Sequence, residues 1–255
     1  MAGGADVVTD VALALILVVV AIVVSRRLSL SLESDLALAA VRAIVQIAVV
    51  AATIQAAFSH LGWSGAFLVV MLLAGAWTSG RRLAGVPGAP IVALVSISVS
   101  AGLAVAILFG TGVFDFEPRF LIPIAGMLIG NAMIATSLAG NRLRDEVASQ
   151  TPEIEARIAL GVSASEALLP YRRRAVTVGL LPTIDATKNV GLILLPGAFV
   201  GMVIAGASPA DAARVQLIVL FMLLGAVAVA GMTATILVAR SFVAPGERLV
   251  PPRTR

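Results

Sequence analysis

The polar chemistry of this chain is concentrated in one stretch, TPEIEARIALGVSASEALLPYRRRAVTVGLLP, from Thr151 to Pro182, set between segments that carry almost no charge. Thr151 reads as a helix N-cap and Pro152 as a first helical residue. Glu153 and Glu155 suit the positive end of a helix dipole. Ile154, Ile158 and Val162 recur at i, i+4 and i+8 as an apolar stripe, with Glu155, Ser163 and Glu166 off it. Gly161 admits close backbone approach or a kink. Pro170 is expected to end the helix, with Arg172, Arg173 and Arg174 at headgroup level. Two readings stand: an amphipathic helix resting on lipid headgroups, or a coupling helix that fits the groove of a cytosolic partner.

The other candidates are polar groups inside apolar runs. Asn131 follows Gly130, with Thr136 and Ser137 beyond it, and Gln46 lies one helical turn from Arg42. An unpaired polar group in hydrocarbon is unfavourable, so all four should face the bundle interior. Each reads as a translocation-path residue or as a helix–helix hydrogen bond, and Asn131 is the leading path candidate. Gly126 with Gly130 and Gly197 with Gly201 form two Gly-x3-Gly pairs that permit close helix packing.

Metal ligation and nucleotide binding find little support. There is no cysteine, and His60 is the sole histidine. No Asp or Glu is expected at the centre of a span. Asp185 is expected near the inner mouth, or as a cap on the approach to the sixth span. Met127, Met133 and Met202 are soft donors that more often serve as packing, so the metal ligands stay unknown. A P-loop needs G-x-x-x-x-G-K-[ST]. Lys188 is the sole lysine and lacks those glycines. No cofactor is expected in this chain, and no catalytic residue.

These residues need elements to hold them. The chain is 60% hydrophobic and 13% charged, with a mean hydropathy of +1.05, which places it among all-α polytopic membrane proteins. Seven runs approach the ~20 residues a spanning helix needs: Val7–Val24, Leu36–Phe58, Trp63–Ser79, Ala89–Gly110, Phe120–Gly140, Val190–Ala207 and Ala212–Ala239. Arg26 and Arg27 follow the first run, so the N-terminus does not read as a cleavable signal. With the N-terminus outside, sixteen of the 18 basic residues fall inside and two, Arg119 and Arg214, outside. That bias explains the pI near 10.9 as orientation charge, without invoking nucleic acid. The expected organisation is one permease domain over residues 1–244, a cytoplasmic coupling segment at 142–188, and a basic, irregular tail at 245–255.

Glu155-Ala156 followed by Gly161 resembles the opening of the E-A-A-x3-G loop of ABC transporter permeases, with Arg157 in place of the third alanine. The runs GMLIGNAMIATSLAGNRLRDEV and LLPTIDATKNVGLILLPGAFVGMVIAGASPADAARVQ, with the Arg42-x3-Gln46 pair, resemble the Fet-type iron-export permeases of bacteria and the related plant aluminium-sensitivity permeases. The resemblance covers about Arg42 to Ala239. It departs at Pro196-Gly197-Ala198-Phe199-Val200-Gly201-Met202, where that family has Pro-Gly-Met-Met-Thr-Gly-Gln, so two polar groups are missing. It implies the membrane subunit of an exporter in the bacterial plasma (inner) membrane, paired as a homodimer with ATP-binding subunits that hold ATP and Mg. Glu155, Ala156, Ile158 and Gly161 would couple to that partner. The rival reading is a stand-alone secondary carrier or an ATP-independent membrane protein for another small solute.

The charge bias generates a topology test. A reporter active only in the cytoplasm should give signal when fused after Arg255 and none when fused at Met1. The opposite pattern would invert the map.

Overall fold

The computed structural model describes residues 4–250 and 252. The chain divides into two compact units, residues 1–59 and 60–255.

The first unit is a helical hairpin, α1 (Gly4–Arg27) against α2 (Glu33–Ser59). Its turn is pinned by Ser25, whose hydroxyl donates to Glu33 Oε1 at 3.0 Å and accepts from the Leu32 amide at 3.1 Å. Ser29 and Ser31 take positive φ there, 52° and 57°. Both helices are long and apolar enough to span a bilayer.

The second unit is a bundle of α3 (Leu61–Arg82), α4 (Ala89–Gly110), α5 (Pro118–Ser149), α6 (Thr151–Ala159), α7 (Ala164–Asn189), α8 (Gly197–Ile204) and α9 (Pro209–Ser241). It closes with a short hairpin of two-residue strands, β1 (Val243–Ala244) with β2 (Arg248–Leu249). The start of the tail is therefore ordered where irregular chain was expected; residues 251 and 253–255, with Arg253 and Arg255, lie outside the described residues. α5 and α9 form the centre, each packing on α4 and α7. One core cluster joins Ile124 and Leu128 to Val219 and Met222. Another joins Leu143 and Val147 to Val238 and Phe242. Residues advance together along both helices, so α5 and α9 run parallel.

That parallel pairing has a topological consequence. The chain must return across the bundle between Ser149 and Pro209. Seven spans were expected, but among the described residues six helices are long and apolar enough to cross, and none lies in this interval. The run Val190–Ala207 is not one helix. It is an irregular segment, residues 190–196, leading into the eight-residue α8. The return is made largely by α7, whose 26 residues reach ~39 Å. α7 is antiparallel to its neighbours: Leu168 and Tyr171 pack with Leu143 and Val147, and Gly179 lies against Ala135 and Ala139 further along.

α7 also runs through both of its prolines, Pro170 and Pro182, where Pro170 was expected to stop it. Each interior proline costs about 3 kcal/mol. Burial of Leu168 and Tyr171, 1% and 2% exposed, contributes about 1.5–3 kcal/mol each, enough to hold the helix through Pro170.

Gly179 sets the approach of α7 to α5. A Cβ there would sit 3.0 Å from Ala139 Cβ and 3.2 Å from the Ala135 carbonyl oxygen, whereas one at Gly130 meets nothing within 4 Å. Gly179→Leu should therefore lower the melting temperature in detergent, by overpacking of about 1–3 kcal/mol, while Gly130→Ala leaves it nearly unchanged. Thermal unfolding of the two variants side by side checks this.

Candidate functional site

The candidate residues fall at two levels of the bundle. At the charged end, Gln150 rather than Thr151 occupies the N-cap of α6. Thr151 is helical and donates to the Val147 carbonyl at 2.7 Å, tying α6 to the last turn of α5. Ile154 is fully buried among Leu143, Val147 and Leu168, and Ile158 packs against the same cluster. The expected stripe is thus half right: it anchors α6 to its own bundle. Val162 lies beyond the helix, because α6 ends at Ala159 and the chain reverses at Gly161, φ 89°. Ser163 then caps α7, its hydroxyl accepting from the Glu166 amide at 3.3 Å and donating to the Glu166 carboxylate at 3.2 Å.

Of the four coupling candidates, Glu155, Ala156 and Gly161 are exposed and Ile158 turns inward. Leu160, at the tip of the reversal, is 86% exposed and was missed because it stands off the helical stripe. Glu146 was also missed. It is buried and pairs with Arg142 at 2.9 Å and Arg174 at 3.0 Å, locking α5 to α7. The Arg142-x3-Glu146 spacing was the available signal. Beside it a polar cleft of about 450 Å³ is lined by Arg142, Asp145, Gln150, Glu153 and Arg174 among others. Nearby, burial, then the Glu153 carboxylate, push the Tyr171 phenol up. Burial, then Arg240, lower the Arg172 guanidinium.

At mid-bundle, Asn131 stands 12 residues from Arg119 and 11 from Arg142, or ~18 and ~17 Å along α5. Its amide donates to the Met127 carbonyl of its own helix at 2.9 Å. It lines a cavity of about 140 Å³ with Thr183 and Thr187 of α7 and Leu220 and Leu223 of α9. Thr136 and Ser137 are not in that cavity. Thr136 is fully buried, without a hydrogen-bond partner for its hydroxyl. Ser137 is bound to Ser79 of α3 at 2.9 Å and to the Met133 carbonyl at 2.9 Å. Gln46 is exposed on α2, in the other unit. Among the paired glycines, a Cβ at Gly126 would meet the Met71 methyl, whereas Gly130, Gly197 and Gly201 face open space.

The cavity corrects one expectation. Thr183 and Thr187 share the level of Asn131, so Asp185 between them lies at mid-bundle and not at an inner mouth. Lys188, one turn further on, does not belong to the basic residues of the charged end. Both are exposed, and neither has an ion pair among the described residues. A cluster of three or more Asp, Glu, His or Cys side chains does not occur among the described residues.

Residues 8–243 match the model of the uncharacterised protein family UPF0014. The chain belongs to this family. It is 37% identical over 233 residues to Protein ALUMINUM SENSITIVE 3 of Arabidopsis thaliana, covering 91% of this chain and 85% of that one. It is 36% identical over 243 residues to the probable iron export permease protein FetB of Escherichia coli strain K12, covering 94% of each. The UPF0014 membrane protein STAR2 of Oryza sativa subsp. japonica is 36% identical over 222 residues, 86% of this chain and 78% of that one. No solved structure matches. This UPF0014 chain is an all-α, multi-pass membrane protein.

The hydrogen bonds separate two of its polar residues by stability. Ser137 joins two helices, so a Ser79→Ala, Ser137→Ala double-mutant cycle should return a coupling of about 0.6 kcal/mol. Asn131 bonds only its own helix, so Asn131→Leu should cost less than about 0.5 kcal/mol. Unfolding of the four variants in one detergent checks both.

Proposed function

We propose that this chain is the permease subunit of an ABC exporter, acting as a homodimer in a bacterial plasma membrane, N-terminus outside and C-terminus cytoplasmic. ATP and Mg are bound by a separate subunit. The cargo is a metal ion, and the name of the Escherichia coli relative points to iron. The chain breaks no bond itself.

The observation that carries this reading is the form of the charged end. α6 is a short helix held on its own bundle by Ile154 and Ile158. It still presents Glu155, Ala156, Leu160 and Gly161 outward, beside a polar cleft. A helix resting on lipid would turn its apolar stripe to the bilayer, and here that stripe points inward. A strongly exposed leucine on a fixed, polar projection suits a groove in a soluble partner. ATP binding then draws two ATPases together, the docked projections move with them, and each α7 carries the motion into its bundle.

A proton-coupled carrier is the second reading, favoured by the mid-bundle Asp185, since such carriers need an ionisable group at depth. Co-purification decides between them: an ATPase isolated in equal amount with the chain supports the exporter. Leu160→Asp and Ala156→Arg should then insert normally and lose most of the bound ATPase, about 2 kcal/mol or more for a central apolar anchor. Ile154→Ala should instead lower the melting temperature, by about 2–5 kcal/mol of stability. Full ATPase retention by both surface variants would remove α6 as the dock.

A further inference from the structure

The return between α5 and α9 is the most unusual part of the fold. Four residues before its end at Asn189, α7 carries an aspartate, and three residues after that a lysine. Asp185 and Lys188 are exposed, as is Asn189. The irregular segment beyond is exposed throughout residues 191–195, with Leu192 at 91%. The level is fixed by the cavity that Thr183 and Thr187 share with Asn131. Asn131 lies between flanking arginines ~18 and ~17 Å away, close to the half-thickness of a ~30 Å hydrocarbon core.

Two physical rules then apply at one place. A charged side chain at that depth is costly unless it is paired or wet. Non-helical backbone at that depth is tolerated only where protein buries it or where it lines water. Neither charge has an ion pair among the described residues. The spacing of Asp185 and Lys188 would permit a bond along the helix, yet none forms.

We infer that the outer face of α7 at Asp185, Lys188 and Asn189, with the broken segment 190–196, lines a water-filled site at mid-membrane, and that Asp185 is the contact for a hard metal cation. The donor chemistry selects the class. Asp185 offers a carboxylate and Asn189 a side-chain carbonyl, its amide nitrogen already donating to the Asp185 backbone oxygen at 2.9 Å. No thiolate or imidazole stands among them. Oxygen donors suit hard cations. One carboxylate per copy beside an ammonium makes a weak, transient contact, which conduction requires. Lys188 offsets the aspartate when the site is empty and repels the cation when it is filled. The inference rests on the transport reading in one respect, that the site carries cargo.

The chain has no cysteine, so single cysteines report water directly. In membranes holding the full chain, Asp185→Cys, Lys188→Cys and Leu192→Cys should react with a charged, membrane-impermeant thiol reagent roughly tenfold faster than Val70→Cys, because a thiolate forms only in water. Val70 is 64% exposed on the apolar α3. Added Mn²⁺ should slow labelling of Lys188→Cys, and the slowing should vanish when Asp185→Asn is combined with it. Reaction at 185, 188 and 192 no faster than at 70, whether because lipid or protein covers the face, overturns the site. Mn²⁺ protection that is absent, or that survives Asp185→Asn, overturns the cation contact. Neither readout involves the ATPase, so failure to co-purify one would count against the exporter alone.

Discussion

The parallel course of α5 and α9 constrains everything else in the second unit. Two long apolar helices that enter from the same side oblige the chain to come back between them. That return has to satisfy its backbone inside hydrocarbon, where a helix is the ordinary solution. Here the solution is partial. α7 packs closely at Gly179 and then stops at Asn189, giving way to an irregular segment and an eight-residue helix. The polar end of α7 and the break therefore fall at the same level, so charge and non-helical backbone share one place.

The α-helical class and five of the spans in residues 9–149 were legible, because about twenty apolar residues without charge have one stable arrangement in a bilayer. The last span was legible for the same reason. The sixth was not. LLPTIDATKNV is too polar to read as membrane-embedded, and LILLPGAFVGMVIAG is apolar enough to read as a span. Hydropathy assumes lipid on every side of a helix. In the bundle the first run belongs to the long α7 and shares a cavity with Asn131, while the second is an irregular segment and a short helix. The same assumption set Asp185 near an inner mouth or as a cap.

At the charged end the failure was of a different kind. The stripe Ile154, Ile158, Val162 correctly marked an amphipathic helix, but periodicity cannot say which surface the stripe meets. The helix turns it onto Leu143, Val147 and Leu168, and Gly161 cuts it short before Val162. Leu160 carries no periodic signal at all. Its exposure follows only from the positive φ at Gly161, which turns the chain and leaves the preceding side chain at the tip. Glu146 was readable as a helical ion pair with Arg142, yet its second partner, Arg174, comes from another helix and so from packing alone.

The two levels are joined by one element. From its cap at Ser163 to Asp185, α7 spans 22 residues, ~33 Å of unbroken helix. At one end it is locked to α5 through Glu146 and Arg174 and to the tail through the Ala164 amide, which donates to the Glu247 carboxylate. At the other it packs on α5 through Gly179 and then lines the cavity with Asn131, Leu220 and Leu223. A displacement of the α6–α7 turn cannot be absorbed at the locked end, where three charges hold α7 to α5 and the buried Ile154 holds α6 to both. It passes along the helix to where packing thins, at Pro182 and the break after Asn189. Pro182 removes one backbone hydrogen bond there, so the helix is most compliant one turn before Asp185. Stiffness at the charged end and compliance at the polar end are what a lever needs if a push on the α6–α7 turn is to change the surroundings of Asp185.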